Sequence, residues 1–260
     1  MKLRFASAIA LSIAASAHAE TYRFELNAGL GQGEVELGPF SNDFDTLMLG
    51  GTFYFSDVDT SQGPLREAAF LDKASGLSFT RTDMSFDDAG DNTFTTIDGR
   101  FVLASDTIIE ASVTRMDDGS GDDSDTISVG AGTYINENSD VVATYTRSDG
   151  GHVDTLGIDY HTIVENGNAS WGIDLGASYV DTSFDSGYGL TAGATFYPSA
   201  NFGLGATLSR TSVGYIDATS LLVGAEYFFN SNFSGELIYS ASEEDSVDLD
   251  QISVGVSFRF

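Results

Sequence analysis

The chain alternates. From Gln251 to Phe260 every second residue is apolar (Ile252, Val254, Val256, Phe258, Phe260), with Gln251, Ser253, Gly255, Ser257 and Arg259 between them. A period of two sends successive side chains to opposite faces of an extended strand, so this stretch has one apolar and one polar face. The pattern recurs in about fourteen segments separated by turn-rich punctuation. It begins at Tyr22-Phe24-Leu26-Ala28-Leu30 and Leu47-Leu49-Gly51-Phe53-Phe55, and continues with Ile97-Gly99-Phe101-Leu103 and Ile109-Ala111-Val113. Its cleanest repeats are Trp171-Ile173-Leu175-Ala177-Tyr179, Tyr188-Leu190-Ala192-Ala194-Phe196 and Leu221-Val223-Ala225-Tyr227-Phe229. A third segment, from about Arg66 to Met84, opens with Gly63–Leu71, the one passage able to form a brief helix.

Each apolar face is about five positions long and often closes on Phe, Tyr or Trp, as in a membrane strand of roughly 9–11 residues with interfacial aromatics. The connections alternate in kind. Asn136–Ser139, Glu165–Asn168, Pro198–Asn201 and Asn230–Asn232 are short and mostly uncharged. The intervening ones, Asp87–Asp91, Asp117–Asp125, Asp181–Asp185 and Glu243–Asp245, are acidic. An antiparallel up-and-down barrel produces this alternation, with tight turns at one end and solvated acidic loops at the other. Both termini at one end require an even strand number. Fourteen fits, and twelve is the alternative left by the ambiguous stretches Ser56–Arg66 and Val141–Gly151. A soluble sandwich would carry large polar side chains outside, whereas here the polar register is rich in Gly, Ser and Thr and suits a narrow lumen.

Residues 1–19 read as a secretory signal peptide: Lys2 and Arg4, an apolar run from Phe5 to Ala15, and the site Ala17-His18-Ala19. The apolar run is too short to span a bilayer, and no later run is long enough for a membrane helix. Residues 20–260 are then one barrel. The net charge of −28 becomes about −30 once the two leader cations are lost, which excludes nucleic acid as a partner. With no cysteine, neither disulfide staples nor thiol catalysis are available.

Leader, dyad repeat and terminal Phe260 together resemble Gram-negative outer-membrane β-barrel porins, in particular small monomeric fourteen-stranded ones and the loosely defined porins of marine and soil proteobacteria. That resemblance implies an outer-membrane location with periplasmic termini. It also implies lipid and lipopolysaccharide around the wall, insertion by the barrel assembly machinery with Phe260 as the signal, and passive diffusion of small hydrophilic solutes. The longest outer loop expected is Gly31–Asp43, too short for a constriction loop, which points to a monomer with a little-restricted pore.

With the apolar register facing lipid, the charged residues of the other register line the lumen: Arg23, Glu25, Asp98, Arg100, Glu110, Asp159, His161, Asp174, Glu226, Glu236 and Arg259. Acids outnumber bases there, which predicts a modest cation preference. Arg81, Arg115, Arg147 and Arg210 fall in the lipid-facing register near the outer ends of strands. Guanidinium groups at that level are suited to lipid phosphates. The final strand should pair with Tyr22–Leu30, bringing Arg259 near Arg23 and Glu25.

No nucleophile, metal or phosphate motif is present, so no enzyme, cofactor or metal site is expected. The competing reading is a non-conducting structural or adhesive barrel, since Tyr54, Tyr134, Tyr197 and Phe228 point inward and could fill the lumen.

Overall fold

The computed structural model describes residues 21–260 apart from 88–89, 120–122, 150–151 and 246. The expected leader, and Asp88, Ala89 and Asp122 of the acidic connections, lie outside the described residues. Fourteen strands follow one another round a closed ring: β1 (Thr21–Leu37), β2 (Phe40–Asp59), β3 (Gly76–Phe86), β4 (Asn92–Val102), β5 (Thr107–Asp117), β6 (Ser124–Asn136) and β7 (Ser139–Ser148), then β8 (Val153–Asn166), β9 (Ala169–Asp181), β10 (Ser186–Ser199), β11 (Phe202–Val213), β12 (Ile216–Asn230), β13 (Phe233–Glu244) and β14 (Val247–Arg259). Each strand is antiparallel to both neighbours, and β14 closes on β1 with Glu25 opposite Arg259 and Leu30 opposite Val254. Closure gives every strand a partner on both sides, the one way a sheet can meet its backbone hydrogen bonds in hydrocarbon.

The dyad repeat explains the wall. Leu30, Leu49, Ile97, Val129, Leu175, Leu190, Leu208 and Val254 all project outward and are exposed, forming an apolar belt. Their neighbours in sequence project into the lumen. Aromatic residues collect at the end of the barrel that carries the termini, where Phe260 stacks on Phe24 at 5.4 Å and Phe55 on Phe101 at 5.6 Å.

The ring has the expected fourteen strands rather than twelve: of the ambiguous stretches, Ser56–Asp59 end β2, residues 60–66 lie in the β2–β3 connection, and Val141–Ser148 belong to β7. Three expectations change. Gly31–Asp43 is no loop: β1 and β2 run on to a tight turn in which Gly38 has φ +59°. The third strand starts at Gly76, not Arg66. Before it, Leu65–Glu67 form a 3-10 turn and Ala68–Leu71 a short helix, α1.

Arg23 does not face the lumen. The N–H groups of both Arg23 and Phe24 donate to the Phe260 carbonyl, each at 2.9 Å, and the β1–β2 register shifts between Tyr22 and Phe24. This bulge reverses the alternation below it. Tyr22 turns inward, 3% exposed, and Arg23 turns out to pair with Asp57 at 3.1 Å.

Candidate functional site

The lumen narrows at the terminal end because one connection enters it. Five of the six connections there are tight turns, but β2 and β3 are joined by residues 60–75. That segment folds inward and takes partners around the ring. The Arg259 Nη1 donates to the Leu65 carbonyl at 2.8 Å, and the Leu65 N–H donates to the Ala200 carbonyl at 2.8 Å. Arg66 Nη1 bonds Glu226 Oε2 on β12 at 2.8 Å, and the Tyr197 hydroxyl of β10 donates to Glu67. On the far side, the Phe70 ring stands edge-on to His161 of β8, with centroids 4.3 Å apart, and its carbonyl accepts from the Tyr134 hydroxyl of β6 at 2.9 Å. Lys73 Nζ donates to Asp106 Oδ1 at 2.7 Å in the β4–β5 turn. Burial raises the Asp72 carboxyl above its ordinary value, against the 3.2 Å bond it accepts from the Asp59 N–H. Since β14 and β8 lie on nearly opposite sides of the ring, the segment crosses the mouth.

Most of the long inward side chains meet at this level. Arg259 is 6% exposed; its Nε donates to Glu25 Oε2 at 2.6 Å, and its guanidinium lies 4.7 Å from the ring centroids of both Tyr22 and Phe228. Arg100 is bonded to both Glu110 and Asp140, with the Tyr134 hydroxyl 3.5 Å away. His161 holds its Nδ1 2.6 Å from Asp174 Oδ1 and its Nε2 3.3 Å from Glu67 Oε2.

A cavity of about 330 Å³ sits beside Phe70, lined by Arg100, Glu110, Asp140, Asp159, His161 and Asp174. A second, of about 320 Å³, is lined by Tyr54, Phe70, Asp98 and Arg100. Glu236 projects inward on β13 and packs toward Gly255.

Toward the distal end the inward residues are small. Hydroxyl pairs bridge neighbouring strands at Thr96–Thr114 (2.9 Å), Ser128–Thr146 (2.9 Å), Thr191–Ser209 (3.1 Å) and Ser220–Ser242 (2.9 Å). One side differs. Met48, Met84, Phe94 and Met116 occupy inward positions on β2 to β5, beyond them Phe44 lies 5.4 Å from Phe86, and Gly33 opposite leaves room for the Phe44 ring. At the rim, Arg81, Arg115, Arg147 and Arg210 point outward. Arg81 pairs with Asp83 (2.8 Å), Arg115 with Asp125 (2.8 Å) and Arg210 with Asp217 (3.6 Å), while Arg147 stands opposite Asp154 in register.

The family model described as "Putative general bacterial porin" matches residues 2–174. The chain belongs to this porin family. Among solved structures it is similar to the outer-membrane protein Omp33 of Acinetobacter baumannii, with 21% identity, a TM-score of 0.63, and 94% of this chain and 100% of that one covered. It is also similar to a bacterial polysaccharide outer-membrane secretin, with 10% identity, a TM-score of 0.51, and 94% and 100% covered. At these identities the two likenesses show the fold alone. No curated protein sequence matches the chain.

The porin therefore sits in the outer membrane of a Gram-negative bacterium, among its lipid and lipopolysaccharide, with its terminal end in the periplasm. Sequence reasoning missed three parts of the site. Asp140, 4% exposed, lies just before the stretch from Val141 whose strand assignment is ambiguous in sequence. Tyr22 was hidden by the bulge. Residues 65–73 fall partly in the predicted third strand, although a helical passage between two neighbouring antiparallel strands is itself the signal of a segment that leaves the sheet.

Proposed function

We propose that this porin is a passive, non-enzymatic channel for small hydrophilic solutes and ions, with a preference for cations. The observation that carries this is the sign of the inward charge. Glu25, Asp98, Glu110, Asp140, Asp159, Asp174, Glu226 and Glu236 face the lumen against Arg100, Arg259 and His161, and Arg23, expected inside, is outside. Residues 60–75 do not change the balance, because Arg66 and Lys73 offset Glu67 and Asp72. A low-dielectric wall lined by one sign of charge concentrates counter-ions. The test is the reversal potential of the refolded protein in a planar bilayer under a KCl gradient. A cation-selective sign supports the reading, and an anion-selective sign contradicts it.

The crossing segment favours a second reading, a structural barrel that conducts nothing. Ion steps from the purified protein, or from a form lacking the segment, rule it out.

The same proposal includes the surroundings. The rim arginines stay more than half exposed in the pairs formed by Arg81, Arg115 and Arg210, leaving guanidinium edge for lipid phosphates. Phe260, half-exposed at the closing seam, is the mark read by the assembly machinery. We read the protein as a monomer, in keeping with outer connections that are short in sequence.

A further inference from the structure

We propose that residues 60–75 are an autoinhibitory gate: docked across the periplasmic mouth they close the lumen, and undocked as a unit they open it, with Arg66, Glu67 and Lys73 as the latch. This rests on the porin reading above and adds a mechanism of closure to it.

Four observations carry it. First, the wall is complete without the segment, since all fourteen strands pair round the ring, so undocking breaks no strand pairing. Second, the segment is far longer than its connection needs. β8 and β9 are antiparallel neighbours like β2 and β3, yet a turn of Gly167 and Asn168 suffices to join them. Third, it holds together by its own bonds: Glu67 N–H to the Pro64 carbonyl, Asp72 N–H to that of Ala68, Lys73 N–H to that of Phe70 and Ala74 N–H to that of Ala69, at 2.9 to 3.0 Å. It is flanked by two left-handed residues, Gly63 (φ +68°) and Lys73 (φ +50°), where a small backbone change redirects the chain.

Fourth, the docking contacts include several polar ones that water can replace. Glu226, Tyr197 and His161 project into the lumen and Asp106 stands in a turn, so each is hydrated when the segment leaves. The apolar contribution comes from the buried Pro64 and Leu65, from Ala68 and Ala74 against Tyr22 and Val58, and from Phe70 against Ile108, Tyr134 and Val142. Such a balance suits a two-state element better than a permanent core.

The chain has no cysteine, so an introduced pair forms one defined disulfide. Leu65→Cys with Ala200→Cys is the suitable pair, because the 2.8 Å bond between these backbones brings their Cα atoms within disulfide reach. In a planar bilayer, ion steps of the oxidised variant should fall at least tenfold in frequency and return with reductant, while wild type ignores the reductant. Oxidised protein that conducts like the reduced form, with the disulfide confirmed by mass, overturns the gate. A second variant replaces residues 61–72 with a short Gly/Ser turn and should open more often or to larger steps than wild type. Conductance equal to wild type also overturns the gate. If wild type, reduced pair and shortened form all insert as folded barrels and pass no current, the porin reading itself fails.

Discussion

The two halves of the lumen are made by the same fourteen strands from different residues. The distal half is lined by Gly and by Ser and Thr whose hydroxyls pair across strands, small residues that reach little into the bore, with a Met and Phe stripe along β2 to β5. The periplasmic half is lined by Arg, Glu, Asp, His and Tyr, long enough to reach inward and grip residues 60–75. The lesson is that the dyad repeat decides which way a residue faces, while side-chain length decides whether the bore stays open.

The largest expected effect is at the grip. Arg259→Ala removes the bond to Glu25, the bond to the Leu65 carbonyl and two aromatic contacts, and strands a largely buried carboxylate. Breaking a buried pair from one side costs about 3–5 kcal/mol. Urea unfolding in detergent or vesicles should show it. A loss under 1 kcal/mol would mean that the segment does not depend on this anchor.

Next comes the wall, where two adjacent positions separate facing from composition. Ala192→Arg puts a cation on the lipid face at mid-strand, costing about 2–4 kcal/mol. Thr191→Arg puts it in the lumen, where the barrel should fold normally and lose cation preference. Equal destabilisation at both sites would break the assigned register.

A smaller effect is expected at the floor between the halves. Asp98→Asn with Asp159→Asn should lower the cation-to-anion permeability ratio by about twofold, read from reversal potentials. An unchanged ratio would place selectivity elsewhere. Least of all, Ser220→Ala removes one hydroxyl pair of the distal half, the one with Ser242. It should cost about 0.5 kcal/mol with conductance unchanged. A larger loss would show that the distal wall is held by more than its strand pairing.

Much of the wall was legible because lipid imposes a two-residue period on every strand. Strand number, closure of β14 on β1 and the outward turn of Leu190 or Val254 all follow from it. What failed did so where that period stops carrying information. One inserted residue at Tyr22–Phe24 sends Arg23 to the opposite face, and a bulge leaves no mark in composition. Gly31–Asp43 looked like a loop because its acids and glycines are turn-like, yet beyond the hydrocarbon a strand tolerates such residues on both faces. Residues 60–75 are held by partners as remote as Arg259 and Glu226, and pairings over that separation have no local signature.

With residues 60–75 docked across the periplasmic mouth, probes from outside reach the distal half of the lumen sooner than the lower half. Single cysteines at Thr114 and Ser209 in the distal half, and at Ile108 and Ser234 beneath the segment, test it when intact cells meet a membrane-impermeant maleimide. The distal pair should label freely, and the lower pair about a hundredfold more slowly, since reaction there waits on undocking. Equal rates at all four positions would contradict the account.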